Sequence, residues 1–280
     1  MIVLLRFFRL LFKIPWFRKR YYYFYIYLFK PLNLFRNKTT ISSYDSGLKI
    51  RLDLDEWIQQ QIYLFGLFDG KGIRFMKKNL KNGDVFFDIG ANIGCYTLIA
   101  SKITGSSGHV FAFEAIREVY EKLTFNIQLN NLSGITAENL AIFDQKDLLE
   151  FYVSSGENIG MSSIFHHDNE RGDTVQVQAI SVDEYVEENQ ISRVDFIKLD
   201  IEGAELHALN GMRKTLRRFR PILLMELSTE VLPNTSLTPD EITQLLRDLN
   251  YTQMALTKSG DPIPLDQNPD AFYHNYAFLP

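Results

Sequence analysis

Short continuous apolar runs alternate with stretches of helical period through most of this chain. Val85 to Ile89, His109 to Phe113 and Ile135 to Leu140 read as buried strands, and Tyr96 to Ile103 and Glu118 to Asn130 between them carry apolar residues at helical spacing. That order predicts a βαβαβ half of a doubly wound sheet. Two β-like runs, Leu148 to Ser154 and Thr174 to Ile180, flank a loop with Gly156 and Gly160 and predict an inserted hairpin. Winding then resumes with a helix at Val182 to Glu188, a strand at Val194 to Leu199, a helix at Ala204 to Leu216 and a strand at Pro221 to Leu227. Thr238 followed by Pro239 opens a helix to Asn250, and Tyr251 to Thr257 and Ala271 to Leu279 complete seven strands.

Upstream, Ile41 to Asp53 alternates around Asp45-Ser-Gly47 as a hairpin, followed by helical patterns at Glu56 to Phe65 and Lys71 to Asn79. The expected architecture is α/β, a seven-stranded, mostly parallel sheet with helices on both faces, an inserted β-hairpin and an N-terminal helical arm. Residues 1–40 form the arm and residues 41–280 the main domain, with 41–80 as a cap and 81–280 as the core.

Composition changes this picture at the N-terminus. Residues 1–38 hold nine basic side chains and no acid, whereas the remainder holds 21 basic against 34 acidic. A basic residue interrupts every apolar run of that head well before the roughly 20 residues a bilayer span requires. Arg6, Arg9 and Lys13 recur at helical spacing, while Leu4, Phe8, Leu11 and Phe12 fall largely elsewhere on the wheel, which predicts an amphipathic helix ending at Pro15. Two readings stay open, peripheral contact of residues 1–38 with an anionic membrane and packing of the arm on the body or a second subunit. No nucleic-acid partner is expected, because the acidic body repels phosphates. Cys95 is the sole cysteine, which excludes a disulfide framework and a thiolate zinc site and points to a reducing, cytoplasmic setting.

The stretch Asp88-Ile-Gly-Ala-Asn-Ile-Gly94 carries the candidate chemistry. Glycines between a buried strand and a helix N-terminus suit phosphates, dinucleotides or S-adenosylmethionine. A P-loop needs Lys and Ser or Thr after its last glycine, and the dinucleotide fingerprint needs glycines where Asn92 and Cys95 stand. S-adenosylmethionine needs only close approach at Gly90 and Gly94 and an acid after the second strand for the ribose. Glu114 stands there.

These segments join Val182-Asp-Glu-Tyr, Val194-Asp-Phe-Ile-Lys-Leu-Asp-Ile-Glu-Gly-Ala-Glu205, Asn210-Gly-Met and Arg220-Pro-Ile-Leu-Leu-Met-Glu226. Together they resemble the FkbM family of S-adenosylmethionine-dependent methyltransferases over roughly Trp57 to Leu227. The resemblance implies a Rossmann-like methyltransferase fold and methylation of a hydroxyl on a sugar, glycolipid or other natural product, with a small-molecule or glycan acceptor. It implies Asp88, Gly90, Asn92 and Gly94 as the cofactor loop, Glu114 as the ribose acid, and Asn139 to Ala141 beside the adenine. The chain departs from the family at Ala115, where many relatives carry proline, and at Cys95, often an aromatic. A dinucleotide-dependent oxidoreductase and a membrane-docked binding protein without catalysis are the competing readings.

Lys198 lies inside a predicted central strand and needs a carboxylate, which Asp200, Glu202 or Glu205 supplies. Asp200, Glu202 and Glu226 fall at strand carboxyl ends, where ligands of open α/β sheets bind. Asp200, then Glu202, are the expected proton acceptors. The carboxylates also suit a hard divalent cation, but no residue is assigned to a metal, and the histidines and Cys95 read as structural.

Overall fold

The computed structural model describes residues 2–152, 174–227, 239–268 and 275–280. The loop Gly156 to Ser163, His166-His167, the Thr238 cap and His274 lie outside them. Contacts divide the chain into Met1–Asp69 and Gly70–Pro280, so residues 1–40 group with the hairpin that follows, and the contact boundary falls well after the arm boundary drawn from sequence.

The first unit contains α1 (Ile2–Leu11), α2 (Pro15–Arg18), α3 (Tyr21–Phe24) running into a π-helical turn (Tyr25–Phe29), the antiparallel pair β1 (Thr39–Tyr44) and β2 (Leu48–Asp53), and α4 (Trp57–Phe65). Its aromatic density explains the grouping. Phe12, 1 % exposed, meets Tyr21, Phe24, Phe29 and Phe65 edge-on at centroid distances of 5.4 to 6.0 Å. Leu5 and Phe8 of α1 are buried as well, and Tyr21 donates from its hydroxyl to Gln60 Oε1 at 3.1 Å. Arginines that break the apolar runs stack on rings instead, Arg9 over Tyr63 and Arg18 over Phe65. Among the described residues no helix is long and apolar enough to cross a membrane.

In the second unit the elements are α5 (Gly70–Asn79), β3 (Val85–Ile89), α6 (Cys95–Thr104), β4 (His109–Phe113), α7 (Arg117–Leu129), β5 (Ile135–Glu138), β6 (Ala141–Ile142), β7 (Asp147–Tyr152), β8 (Thr174–Ile180) and α8 (Val182–Glu188). They continue as β9 (Phe196–Leu199), α9 (Glu205–Asn210), α10 (Arg213–Phe219), β10 (Ile222–Glu226), α11 (Pro239–Asp248), β11 (Thr252–Leu256), β12 (Pro262–Ile263) and β13 (Asn275–Leu279). The main sheet has the order β12-β11-β13-β10-β9-β3-β4-β5. Its central five strands, β10 to β5, are parallel, and at one side β13 runs antiparallel to both of its neighbours, β10 and β11. The seven expected strands are thus joined by an eighth, the two-residue β12, too short to show as an apolar run. Phe86, Phe87, Ile89, Phe196, Ile197 and Leu199 are fully buried, as continuous apolar runs in doubly covered strands require.

Two expectations are corrected. The helix expected over Ala204 to Leu216 is two helices, because Asp183 of α8 accepts the Lys214 and Thr215 N–H groups and caps a fresh start at α10. The strand expected to Leu140 leaves the sheet after Glu138, and β6 instead pairs with β8 beside the inserted hairpin β7–β8.

Phe12→Ala should destabilise the first unit by about 3–5 kcal/mol, the usual cost of emptying a buried phenylalanine site. Denaturant unfolding followed by tyrosine and tryptophan fluorescence checks this, and a change below about 1 kcal/mol would mean that Phe12 does not anchor that core.

Candidate functional site

The loop between β3 and α6 is held by the protein's own atoms. The Gly90 and Ala91 N–H groups donate to the Phe113 carbonyl, that of Asn92 to Glu114 Oε2, that of Ile93 to Asn92 Oδ1 and that of Gly94 to the Ala91 carbonyl. No N–H from Gly90 to Gly94 is left to cradle a phosphate. Packing also requires both glycines. At Gly90, φ +77°, a Cβ would collide with the Asp200 carbonyl, and at Gly94 the backbone adopts φ +95°, where a Cβ would lie 2.8 Å from Leu123 Cδ1.

The groups that face this loop are carboxylates. Asp88, at the end of β3, is fully buried; its Oδ2 accepts from Thr97 Oγ1 at 2.6 Å, and its Oδ1 has no hydrogen-bond partner. Burial holds its carboxyl above the ordinary range, against the pull of Lys198 and Thr97. Glu114 follows β4 and receives N–H groups on both oxygens, from Asn92 at 2.9 Å and Ile116 at 3.0 Å. Burial nevertheless lifts it to about 7. Asn139 Nδ2 donates to the carbonyls of Glu114 and Ala115, so it ties the end of β5 to the end of β4. Ala141 is buried in β6 opposite Ala179.

Sequence reasoning did not find two supports of the loop. Asn126, fully buried on α7, donates from Nδ2 to the Ile93 carbonyl, and Lys198 Nζ donates to the Gly90 carbonyl at 3.0 Å. A polar residue on the buried face of a helix was the available signal for Asn126.

Lys198 also pairs with Asp200 Oδ2 at 3.0 Å, and its side chain is 8 % exposed. Burial by itself disfavours its charge, yet Asp200 and Asp88 outweigh that and hold the ammonium ionised. Of the three acids named for this partnership, Asp200 pairs with the lysine directly. Glu205, buried at the start of α9, accepts the Ile201 and Gly203 N–H groups at 3.1 and 3.3 Å and shapes the loop after β9; burial lifts it to about 7. Between them Glu202 adopts φ +53°. Its carboxyl is pushed well above the usual range by burial and by the charges of Asp200, Glu226 and Glu205. His109 contacts Thr136, and His207 contacts Asp144 and stacks on Phe143. Among the described residues no three His, Cys, Asp or Glu side chains form a group able to hold a metal ion.

The donor set fits S-adenosylmethionine better than a dinucleotide. The unpartnered Asp88 oxygen and the Glu114 carboxylate offer acceptors to an ammonium, a sulfonium and ribose hydroxyls, whereas a pyrophosphate would meet acids and no free loop N–H. Comparison with known proteins agrees. Residues 88–252 match the methyltransferase FkbM domain. The chain is 27% identical over 186 residues to the hexuronic acid methyltransferase AglP of Haloferax volcanii, covering 64% of this chain and 73% of that protein. It is 26% identical over 145 residues to Methyltransferase 1 of Beauveria bassiana, covering 45% and 57%. The solved structure of an FkbM methyltransferase from Methylobacillus flagellatus superposes with a TM-score of 0.49 at 17% identity, covering 79% of this chain and 52% of that one.

Glu114 and Glu205 keep their protons in the folded state up to about pH 7, while the unfolded chain releases them near 4.5. The stability they contribute is full below pH 4.5 and is lost as pH rises through 7. Urea melts across this window should show that fall, and Glu205→Gln should flatten it; a slope unchanged in the variant would refute the assignment.

Proposed function

The chain belongs to the FkbM family of methyltransferases, whose cofactor is S-adenosylmethionine, and on that premise we propose that it methylates a hydroxyl oxygen of a sugar, glycolipid or related natural product. The observation that carries the reading is the set of carboxylates at the ends of β3, β4, β9 and β10 around a loop whose N–H groups are already used. Asp88, Asn92 and Glu114 would hold the cofactor, which supplies an electrophilic methyl group on a sulfonium. Likeness to a hexuronic acid methyltransferase supports a sugar acceptor.

Glu202 and Asp200 are the groups for the acceptor proton. Asp200 already neutralises Lys198, whereas Glu202 has a carboxyl raised by its neighbours and so a greater affinity for a proton. Glu202 therefore takes the proton, and Asp200 keeps the lysine charge compensated and the loop in place. Because Glu202 ionises only above the usual carboxylate range, turnover should climb with pH.

Isothermal titration should show binding of S-adenosylhomocysteine and none of NAD; the opposite result would revive the oxidoreductase reading. Incubation with methyl-labelled S-adenosylmethionine and hexuronic-acid-containing glycans should give label that survives alkali, as an ether does, whereas alkali-labile label would identify a carboxylate acceptor. Glu202→Gln should lower turnover by about 10² or more with cofactor affinity unchanged, and full turnover in that variant would move the base elsewhere.

A further inference from the structure

Residues 2–38 present a surface that the core of the first unit does not use. Leu5, Phe8 and Phe12 are absorbed by the aromatic cluster, yet Leu10 and the rings of Trp16 (53 %), Tyr22, Tyr23 and Tyr27 (76 %) remain exposed. Exposed apolar residues are normally scattered singly; here they fall within α1, α2, α3 and the π-helical turn, a short span of chain. Six of the nine cations of residues 1–38 fall in that span and three follow it, with no acid among them, and Lys13, Lys19 and Arg36 are exposed.

That combination has a specific chemical match. Tyrosine and tryptophan present an apolar body and a polar tip, suited to the graded boundary between acyl chains and headgroups, and lysine and arginine reach anionic headgroups from the same depth. Short amphipathic helices of this kind lie in the plane of the interface. We propose that residues 1–38 dock the protein on an anionic lipid bilayer, with Trp16, Tyr22 and Tyr27 entering the interface and Lys13, Lys19 and Arg36 meeting the headgroups. The inference stands on this segment alone and is independent of the acceptor or the chemistry of methyl transfer.

The test is co-sedimentation of the full chain with vesicles of phosphatidylcholine, alone or doped with phosphatidylglycerol, with tryptophan fluorescence recorded in parallel. The chain should bind the doped vesicles only, release them in high salt, and show a blue shift on binding. Lys13→Glu/Lys19→Glu/Arg36→Glu should weaken binding at least about a hundredfold, since each basic residue near an anionic surface is worth about fivefold. Trp16→Ser/Tyr22→Ser/Tyr27→Ser, all exposed and so tolerated by the fold, should weaken binding and abolish the blue shift. Equal binding to undoped vesicles, no binding to either, retained binding after the charge reversal, or lipid-free self-association that shields Trp16 would each overturn the proposal.

Discussion

A single buried ammonium organises the ends of the central strands. Lys198 lies in the middle of a parallel sheet, between β3 and β10, where an unpaired charge would cost several kcal/mol. Its Nζ is satisfied from two directions, by the Gly90 carbonyl of the loop after β3 and by the Asp200 carboxylate after β9, with the Tyr96 ring 5.5 Å away. Meeting both demands draws the two loops together until the Asp200 carbonyl occupies the space a side chain at Gly90 would need. The lysine, the glycine and the aspartate are thus one constraint. Any substitution among them exposes the cost of the others, which makes the geometry of this end of the sheet rigid before any ligand arrives.

Much of this was legible in the chain. Continuous apolar runs fixed the parallel strands to within a residue or two, because a strand covered on both faces has no polar period to confuse with a helix. That Lys198 needs an acid was also readable, since a lysine in such a run cannot stand alone. Which acid answers it was not, because Asp200, Glu202 and Glu205 are close in sequence and only the turn through Glu202 and Gly203, both at positive φ, separates their directions. The break between α9 and α10 was hidden for a similar reason: Asp183, which creates it, lies about thirty residues upstream. The packing role of Gly90 was hidden in a third way, since the motif spacing is the same whether or not another strand end comes close.

The electrostatics of the site bear on what can leave as well as what can enter. Asp88 and Glu114 are buried acids whose protons are held above the ordinary range, so either a proton or a cation must compensate them. On the proposed reading of this loop as the cofactor site, Asp88 and Glu114 would release protons on meeting a positively charged methyl donor, so its binding would strengthen as pH rises through the range where Glu114 titrates. Facing the neutral thioether, the same acids would lack that counter-charge, regain protons and hold it less tightly. Acids buried beside a loop with no free N–H groups would therefore favour the cationic form of the cofactor over its demethylated form, a preference that a phosphate-cradling loop of the same length would not have.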